Sequence, residues 1–336
     1  MSISFHKLPR LIQIEVIKSL EFAEIFCLSL TSTRTANVVR SLKFKQVSKL
    51  FYGHYHDQFD VYVEEHQESD MIPVGSVRVK RTRNFKYHFT TRLGANKLNF
   101  ECQKDDDKDS LFETPLFYRS DPKKIVPVSM IEHAISLFGK NRIVFLYVEF
   151  DASFDDTPTV PSVTEMYFKS KKINAKCVRF LKNNPNLNYL VINGEWKVEP
   201  DFSEIPYLKI TDSDKYAGNI LRNFKGKNLV LESAKLSTRD ILEFVKTWKA
   251  NEGYQNFECI QIDFMTEIDG TNEAMDEIEF TEWDPNVRPE NYEFCWPTYH
   301  KRKVAAFYLR DIRRDGDNQL ASFYIWSSAF FFVVWK

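Results

Sequence analysis

The feature that most restricts the fold is a short apolar pattern that recurs through the middle of the chain. Each copy reads apolar-x-x-apolar-x-apolar, and its last two apolar residues fall on one face of a β-strand. Amphipathic stretches between the copies, such as residues 175–181 and 238–248, predict helices. Strands that alternate with helices favour a parallel sheet covered by those helices. The copies are Ile143/Leu146/Val148, Val163/Met166/Phe168, Leu187/Leu190/Ile192, Ile205/Leu208/Ile210, the partial Leu229/Leu231, and Phe257/Ile260/Ile262.

The copies recur about every 20 to 30 residues, which is close to the length of a leucine-rich repeat. We therefore expect a mixed α/β, leucine-rich-repeat-like curved solenoid over residues 126–265. An ordinary α/β sheet with coincidental spacing is the alternative. In a solenoid, the residues between the apolar positions would face the concave side and meet a target protein. The candidates for target contact are Tyr167, Lys169, Tyr189, Tyr207, Lys209 and Gln261.

Different patterns flank this region on both sides. Residues 49–125 alternate between apolar and polar, which predicts antiparallel strands. Residues 266–336 contain most of an acidic stretch and a predicted C-terminal hairpin. In that hairpin, residues 305–312 lead into a turn at Asp315-Gly316, and residues 321–335 return as one strand.

The first 48 residues form a further segment. Leu11, Ile12, Val16, Ile17 and Leu20 recur at helical spacing after a proline that suits a first helical turn. Two more short helices are predicted over residues 23–30 and 33–42. Three short helices bury little surface, so we expect this block to need a partner surface.

Composition excludes several classes of function. The chain has 336 residues and a net charge of −1, which argues against a protein that coats nucleic acid. The most apolar stretch is too short to cross a membrane, and five cysteines without a CxxC pair favour a reducing compartment, either cytosol or nucleus. The sequence contains no P-loop, nucleophile elbow or HExxH motif. We therefore predict no catalytic residue, cofactor or metal, and an unrecognised hydrolase or transferase stays as an alternative.

The N-terminal block resembles an F-box. The matching residues are Leu8-Pro9, Glu15-Val16-Ile17, Leu20, Ile25, Leu28-Ser29-Leu30, Ser32 and Arg34-Thr35. Two later segments, residues 238–249 and 311–316, resemble the F-box-associated type 2 region of the large nematode F-box families. The longer turn at residues 317–319 and the phenylalanine-rich tail depart from that pattern.

This resemblance implies an α+β protein with a three-helix F-box over residues 1–48. It also implies an adaptor: the substrate-recognition subunit of a cullin-type SCF E3 ubiquitin ligase, which binds a Skp-type adaptor and, through it, a cullin. A repeat-type interaction scaffold without a ligase role is the alternative. Docking onto the Skp adaptor is expected to involve Leu8, Pro9, Ile12, Val16, Ile17, Leu20, Leu28 and Leu30, although some of these must hold the helices together instead.

Overall fold

The computed structural model groups the chain into two compact units, Met1–Thr164 (unit 1) and Glu165–Lys336 (unit 2). The residues that the structure describes are 5–55, 58–65, 70–79, 87–93, 96–102, 116–118, 125–139, 143–150, 160, 162–199, 201–296 and 299–336. Within these ranges, no helix is both long and apolar enough to cross a bilayer. The division into four segments that the sequence predicts, at residues 1–48, 49–125, 126–265 and 266–336, stays a prediction.

Unit 1 combines N-terminal helices with a mixed sheet. A 3-10 helix (Phe5–Lys7) precedes α1 (Arg10–Lys18), α2 (Phe22–Leu30) and α3 (Thr33–Arg40). The strands are β1 (Lys49–Tyr55), β2 (Gln58–Glu64), β3 (Ile72–Val79), β4 (Tyr87–Leu93), β5 (Asn96–Cys102), β6 (Leu116–Tyr118) and β7 (Ile143–Phe150), and α4 (Ile125–Phe138) precedes β7. In space, the strands follow the order β7-β1-β2-β3-β6-β5-β4.

The three predicted helices are confirmed, and polar side chains mark two of their starts. Glu21 and Glu24 form a capping box at the start of α2, in which the Glu21 backbone N–H donates to Glu24 Oε2 at 2.9 Å. The Ser32 hydroxyl accepts from the backbone N–H of Thr35 at 3.1 Å and caps α3. These caps satisfy backbone donors that a short helix otherwise leaves unpaired.

Unit 2 also contains a mixed sheet. Its elements are β8 (Glu165–Ile173), α5 (Ala175–Lys182), β9 (Tyr189–Trp196), β10 (Tyr207–Ile210), α6 (Ala217–Asn223), β11 (Asn228–Ala234), α7 (Thr238–Lys249), β12 (Cys259–Phe264), α8 (Thr271–Asp276), β13 (Asn291–Trp296), β14 (Tyr299–Ala305), β15 (Arg310–Arg313), β16 (Leu320–Ile325) and β17 (Ala329–Val334). The order in space is β15-β16-β17-β12-β11-β10-β9-β8, and β13 pairs separately with β14.

Five copies of the apolar pattern form five neighbouring parallel strands, β8 to β12. Their in-register residues form continuous apolar rows across the sheet, since Leu190, Leu208 and Leu229 are each fully buried beside one another. We expect burial of this apolar face against the helices to contribute most to the stability of the sheet. On this side, the Phe168 ring of β8 packs against Phe180 of α5 at a centroid distance of 5.9 Å.

The leucine-rich-repeat-like solenoid is not confirmed, and the described residues show mixed sheets instead. The first copy of the pattern lies on β7 in unit 1, where β7 pairs in parallel with β1 and β1 pairs antiparallel with β2. The last copy, on β12, pairs antiparallel with β17. The connection from β9 to β10 contains no helix. A regular solenoid needs one repeated strand-and-connection unit, and these three departures interrupt it.

One glycine is required where β8 bulges beside β9. The pairing register shifts between Lys169 and Lys172. Gly194 on β9 has φ +146°, and a Cβ atom there would lie 1.8 Å from the backbone oxygen of Ser170. A side chain at position 194 is therefore excluded both by its backbone conformation and by the close approach of β8.

The C-terminal end differs from the predicted hairpin. β15 and β16 pair antiparallel around the turn that contains Asp315-Gly316, as expected. The return is two strands instead of one, because the chain reverses again after Trp326 and β17 pairs with both β16 and β12. This arrangement buries the phenylalanine-rich tail: Phe330 and Phe332 are fully buried, and both rings contact Phe244 of α7.

A buried ion pair stabilises this C-terminal region. Arg288 Nε donates to both carboxylate oxygens of Asp311 at 2.7 and 2.9 Å, and the two side chains are 1% and 3% exposed. The Ser322 hydroxyl donates to Asp311 Oδ1 at 2.6 Å, and Trp335 Nε1 donates to Ser322 at 2.7 Å. The Arg288 guanidinium also lies 5.1 Å from the Trp335 ring centroid. The charges are thus compensated by several hydrogen bonds and a cation–π contact.

We predict that Arg288→Ala lowers the free energy of unfolding of unit 2 by roughly 3–5 kcal/mol, because it leaves the Asp311 carboxylate buried without its cation. All tryptophans of the chain lie in unit 2, so urea unfolding followed by tryptophan fluorescence reports on this unit. The control is Lys182→Ala, which removes an exposed 2.6 Å pair with Asp201 and should cost less than about 1 kcal/mol. Equal small losses in the two variants would contradict the prediction.

Candidate functional site

An apolar patch covers the outer side of the N-terminal helices. Leu11 and Ile12 on α1 are 67% and 45% exposed, which is unusual for large apolar side chains that lie next to each other. Pro9 immediately before the helix is also exposed. We define the α1 patch as Leu11 together with the predicted docking residues that keep exposed or half-buried surface, which are Leu8, Pro9, Ile12, Val16, Leu20 and Leu28.

The opposite side of α1 faces inward. Ile17 is fully buried, and Gln13, one helical turn before it, is also buried. The Gln13 side-chain amide donates to the backbone oxygen of Leu8 at 2.8 Å, so its polar group is satisfied inside the protein. Positions 13 and 17 therefore mark the core-facing side of α1, and Ile12 and Val16 lie beside it.

The structure separates the eight predicted docking residues into two groups. Ile17 and Leu30 belong to the core of unit 1, at 0% and 9% exposure. The other six, which are Leu8, Pro9, Ile12, Val16, Leu20 and Leu28, keep exposed or half-buried surface. Their role in docking stays a prediction, but these six have apolar surface available for a partner.

The docking residues predicted from the sequence do not include Leu11, which is the most exposed large apolar residue among those described. Leu11 is part of the apolar helical run, and its position next to Ile12 is the signal that could have identified it. A helix buries one face, so an apolar run that extends around the helix leaves some members outside the core. Which members are outside depends on the rotation of α1 in the tertiary structure.

The inner face of these helices packs against α4 of the same unit. The Phe22 ring of α2 lies 5.5 Å from Phe138, and the Phe26 ring lies 5.5 Å from His133. Arg40 Nε of α3 donates to the Ser136 hydroxyl at 3.1 Å. The expected need for a partner surface is thus met on one face by unit 1 itself, and the α1 patch is the face that stays uncovered.

A buried polar contact sets the register between α2 and α4. The Ser29 hydroxyl donates to the backbone oxygen of Phe26 at 2.6 Å, and His133 Nε2 lies 2.7 Å from the same hydroxyl. Because the hydroxyl has one proton, this pattern assigns the imidazole proton to Nε2. Burial lowers the pKa of His133 to about 4, with a further contribution from the charge on Arg40, so the ring is neutral in the folded protein.

A second candidate surface is the face of the unit 2 sheet opposite α5. All six predicted target-binding residues are on this face, because Tyr189 is in register with Tyr207, and Tyr167, Lys209 and Gln261 form the next row across the sheet. Lys169 lies two residues further along β8 and is exposed. The structure therefore brings the predicted residues together, whereas their contact with a target stays a prediction.

The side chains on this face differ in what they offer a partner. Tyr189 is only 5% exposed and presents little surface, whereas Tyr167, Tyr207 and Gln261 are half-buried. The Tyr167 hydroxyl accepts from Asn193 Nδ2 at 3.1 Å. Lys209 pairs with Glu232 at 2.6 Å, and both side chains are about one-third exposed. The face is thus a mixed surface of aromatic rings and paired charges, a composition found in protein interfaces.

Metal-ligating side chains do not cluster in the part of the chain that the structure describes. There, no group of three or more histidine, cysteine, aspartate or glutamate side chains is placed to hold a metal ion. Of the described cysteines, Cys177 and Cys259 are buried, and burial raises the pKa of both thiols, which disfavours the reactive thiolate.

Comparison with known families identifies the segment that carries the α1 patch. Residues 5–47 match the F-box domain family. The match begins at the 3-10 helix, covers α1 to α3, and ends two residues before β1. F-box domains bind Skp1-type adaptors within SCF complexes, and F-box proteins are typically adaptors rather than enzymes. Neither curated proteins nor solved structures contain a significant match to the chain.

We predict that acid destabilises the contact between the F-box and α4 through His133. The unfolded imidazole has a pKa of about 6.5, so between pH 6.5 and 4 the unfolded chain binds a proton that the folded chain does not. The free energy of unfolding of unit 1 should therefore fall across this range, by roughly 3 kcal/mol from this group.

An NMR titration of the His133 ring measures its pKa directly, and urea unfolding followed by circular dichroism at several pH values measures stability. His133→Asn is the control, because asparagine keeps a donor for Ser29 but does not titrate. The difference between the two pH profiles isolates the histidine. A ring that titrates near pH 6.5 in the folded protein would contradict the assignment.

Proposed function

We propose that this protein is the substrate-recognition subunit of a cullin-type SCF E3 ubiquitin ligase. In this role, the F-box binds a Skp-type adaptor through the α1 patch, and unit 2 binds a target protein. The observation that carries the proposal is the exposed pair Leu11 and Ile12, which lies within a segment that matches the F-box family. The cysteine pattern is consistent with work in the cytosol or nucleus.

The energetics of the α1 patch fit a docking surface. Burial of apolar surface contributes about 25 cal/mol per Å², and clustered apolar anchors usually supply most of the binding free energy. Of the residues around the patch, Lys7, Arg10 and Lys18 are exposed cations. Such rim charges would mainly accelerate association with an acidic partner, because exposed charges contribute little to net affinity.

Support for target binding comes from the half-buried tyrosines on the face of the unit 2 sheet opposite α5. Half-buried tyrosines such as Tyr167 and Tyr207 combine a rigid apolar ring with a hydroxyl, which makes tyrosine frequent among the residues that dominate binding energy. The resemblance of residues 238–249 and 311–316 to the F-box-associated type 2 region of nematode proteins supports the same assignment. We propose that unit 2 carries target recognition without a catalytic step.

We predict that Leu11→Asp combined with Ile12→Asp abolishes binding of a Skp-type adaptor. Two charges placed in an apolar contact lose the burial energy of both side chains and add a desolvation cost, so Kd should rise at least 100-fold. Neither side chain belongs to the buried core, since Leu11 is 67% and Ile12 45% exposed, so the fold should persist. Titration calorimetry with purified adaptor measures the affinity, and circular dichroism checks the fold.

The matched control is Met265→Asp, which changes another exposed apolar residue, 53% exposed in unit 2, and should leave adaptor affinity unchanged. An unchanged Kd in the Leu11/Ile12 variant would refute docking through the α1 patch. Failure of the unaltered protein to bind any Skp-type adaptor would favour an interaction scaffold without a ligase role.

We also predict that Tyr167→Ala combined with Tyr207→Ala removes the target and retains the Skp adaptor. The two rings are separate from the F-box along the chain, so the two binding activities should respond independently. Quantitative affinity purification of the unaltered protein and the variant measures both groups of partners. Arg179→Ala on the exposed side of α5 is the control, and identical partner profiles for all three proteins would contradict the assignment of this face.

A further inference from the structure

A cavity of about 390 Å³ lies within unit 1, beside the F-box helices. Its wall is formed by residues of α2 and α3, the turn between them, His133 of α4, and the paired strands β4 and β5. This volume is in the range of small-molecule sites, about 300–1,000 Å³. Docking through the α1 patch does not use the cavity, because none of the residues that define the patch lines it.

The charged side chains of the cavity wall are all cationic. Three cationic side chains line it, those of Arg40, Arg92 and Lys97, together with six serine and threonine residues. Not one of the described lining residues is acidic. In the described part of unit 1, none of the three cations forms an ion pair with a carboxylate. Cations and hydroxyls that converge without a carboxylate are the usual partners of a phosphate group.

The pairing of β4 with β5 places two of these cations side by side. Arg92 and Lys97 are directly opposite each other in the antiparallel register, and both are exposed. Like charges directly opposite on one face of a sheet destabilise the pair. A bound anion would convert this repulsion into two attractive contacts. The arrangement is therefore unfavourable in an empty site and favourable in an occupied one.

His133 gives an independent indication of a ligand. It lines the cavity, is 2% exposed, and its Nδ1 atom has no hydrogen-bond partner among the described residues. Since the proton of the neutral ring is on Nε2, Nδ1 is a bare acceptor. A buried polar atom without a partner is costly, so it usually meets a ligand or ordered water.

The start of α3 adds a further favourable element. Ser32 and Thr33, at the N-terminal end of this eight-residue helix, line the same cavity. The N-terminus of a helix has unpaired backbone N–H groups and a partial positive charge, which both favour anions. Together with the cations and His133, this end of the helix completes a polar, positively charged pocket.

We propose that the cavity between the F-box helices and the β4–β5 pair is a binding site for a phosphate group, either free or as a monoester. Arg92 and Lys97 neutralise the charge from the open side, and Arg40 contributes from α3. Four of the wall hydroxyls already donate within the protein, so the hydroxyl that donates to a phosphate oxygen is that of Thr33 at the start of α3. The proposal does not depend on adaptor docking, because the two sites consist of different residues.

The test is titration calorimetry of the full chain with inorganic phosphate and with O-phosphoserine, in a phosphate-free buffer at constant ionic strength. We expect saturable binding of at least one probe, and at least a tenfold loss of affinity in the double variant Arg92→Gln/Lys97→Gln. Tighter binding of O-phosphoserine would identify a monoester as the ligand, and tighter binding of inorganic phosphate would identify the free ion. Arg34→Gln, an exposed cation of α3 outside the cavity, is the control and should leave the affinity unchanged.

Thermal unfolding gives a second readout that does not depend on calorimetric heat. Without phosphate, Lys97→Gln should raise the melting temperature or leave it unchanged, because it removes repulsion from Arg92. With phosphate, the melting temperature of the unaltered protein should rise and that of the double variant should not. Three results would each overturn the proposal. They are a lack of saturable binding at probe concentrations of about 10 mM, equal affinities of the double variant and the unaltered protein, and an equal rise in melting temperature with sodium chloride in place of phosphate.

Discussion

The packing of α2 against α4 is the interaction on which the arrangement of unit 1 depends. Phe22 and Phe26 bury their rings beside Phe138 and His133, and the Ser29–His133 contact fixes the position of α2. Since the helices bury one side against α4, the apolar residues on the outer side of α1 have no further cover from the residues of unit 1 that the structure describes. The exposed patch is therefore a consequence of how the F-box is anchored.

The same anchoring creates the polar cavity. The α2–α3 turn lies beside β4 and β5, where the Thr91 hydroxyl donates to the backbone oxygen of Leu30. This contact places the hydroxyl-rich turn near Arg92 and Lys97, two cations that the sheet register holds opposite each other. One helical segment thus presents an apolar surface through α1 and borders a cationic cavity through the start of α3. These two surfaces differ in chemistry, so the two proposed ligands would bind at separate places.

Unit 2 depends on a different constraint, the need to cover both faces of its sheet at the C-terminal end. One face packs on α7, where Phe332 contacts Phe244 and Trp248. On the other face, Phe331 and Val333 pack in a cluster with Leu309 and partly buried aromatic residues that include Tyr292. The buried Arg288–Asp311 pair holds the connecting segments over this cluster. On the same face, across the earlier parallel strands, Tyr167 and Tyr207 keep part of their surface exposed, and these are the residues that we propose to meet a target.

Local patterns in the sequence determined the short elements of this protein and the faces they bury. The three N-terminal helices, their caps and the five parallel strands of unit 2 follow from apolar spacing and capping residues, because these signals act within a few positions along the chain. Only the tertiary structure decided which apolar residues are core, such as Ile17, and which are surface, such as Leu11, since that depends on how α1 is rotated against its neighbours. It also decided that the repeat ends in mixed sheets and that Arg92, Lys97 and His133 share one cavity. Strand register and long-range packing bring these residues together, and no spacing along the chain encodes that contact.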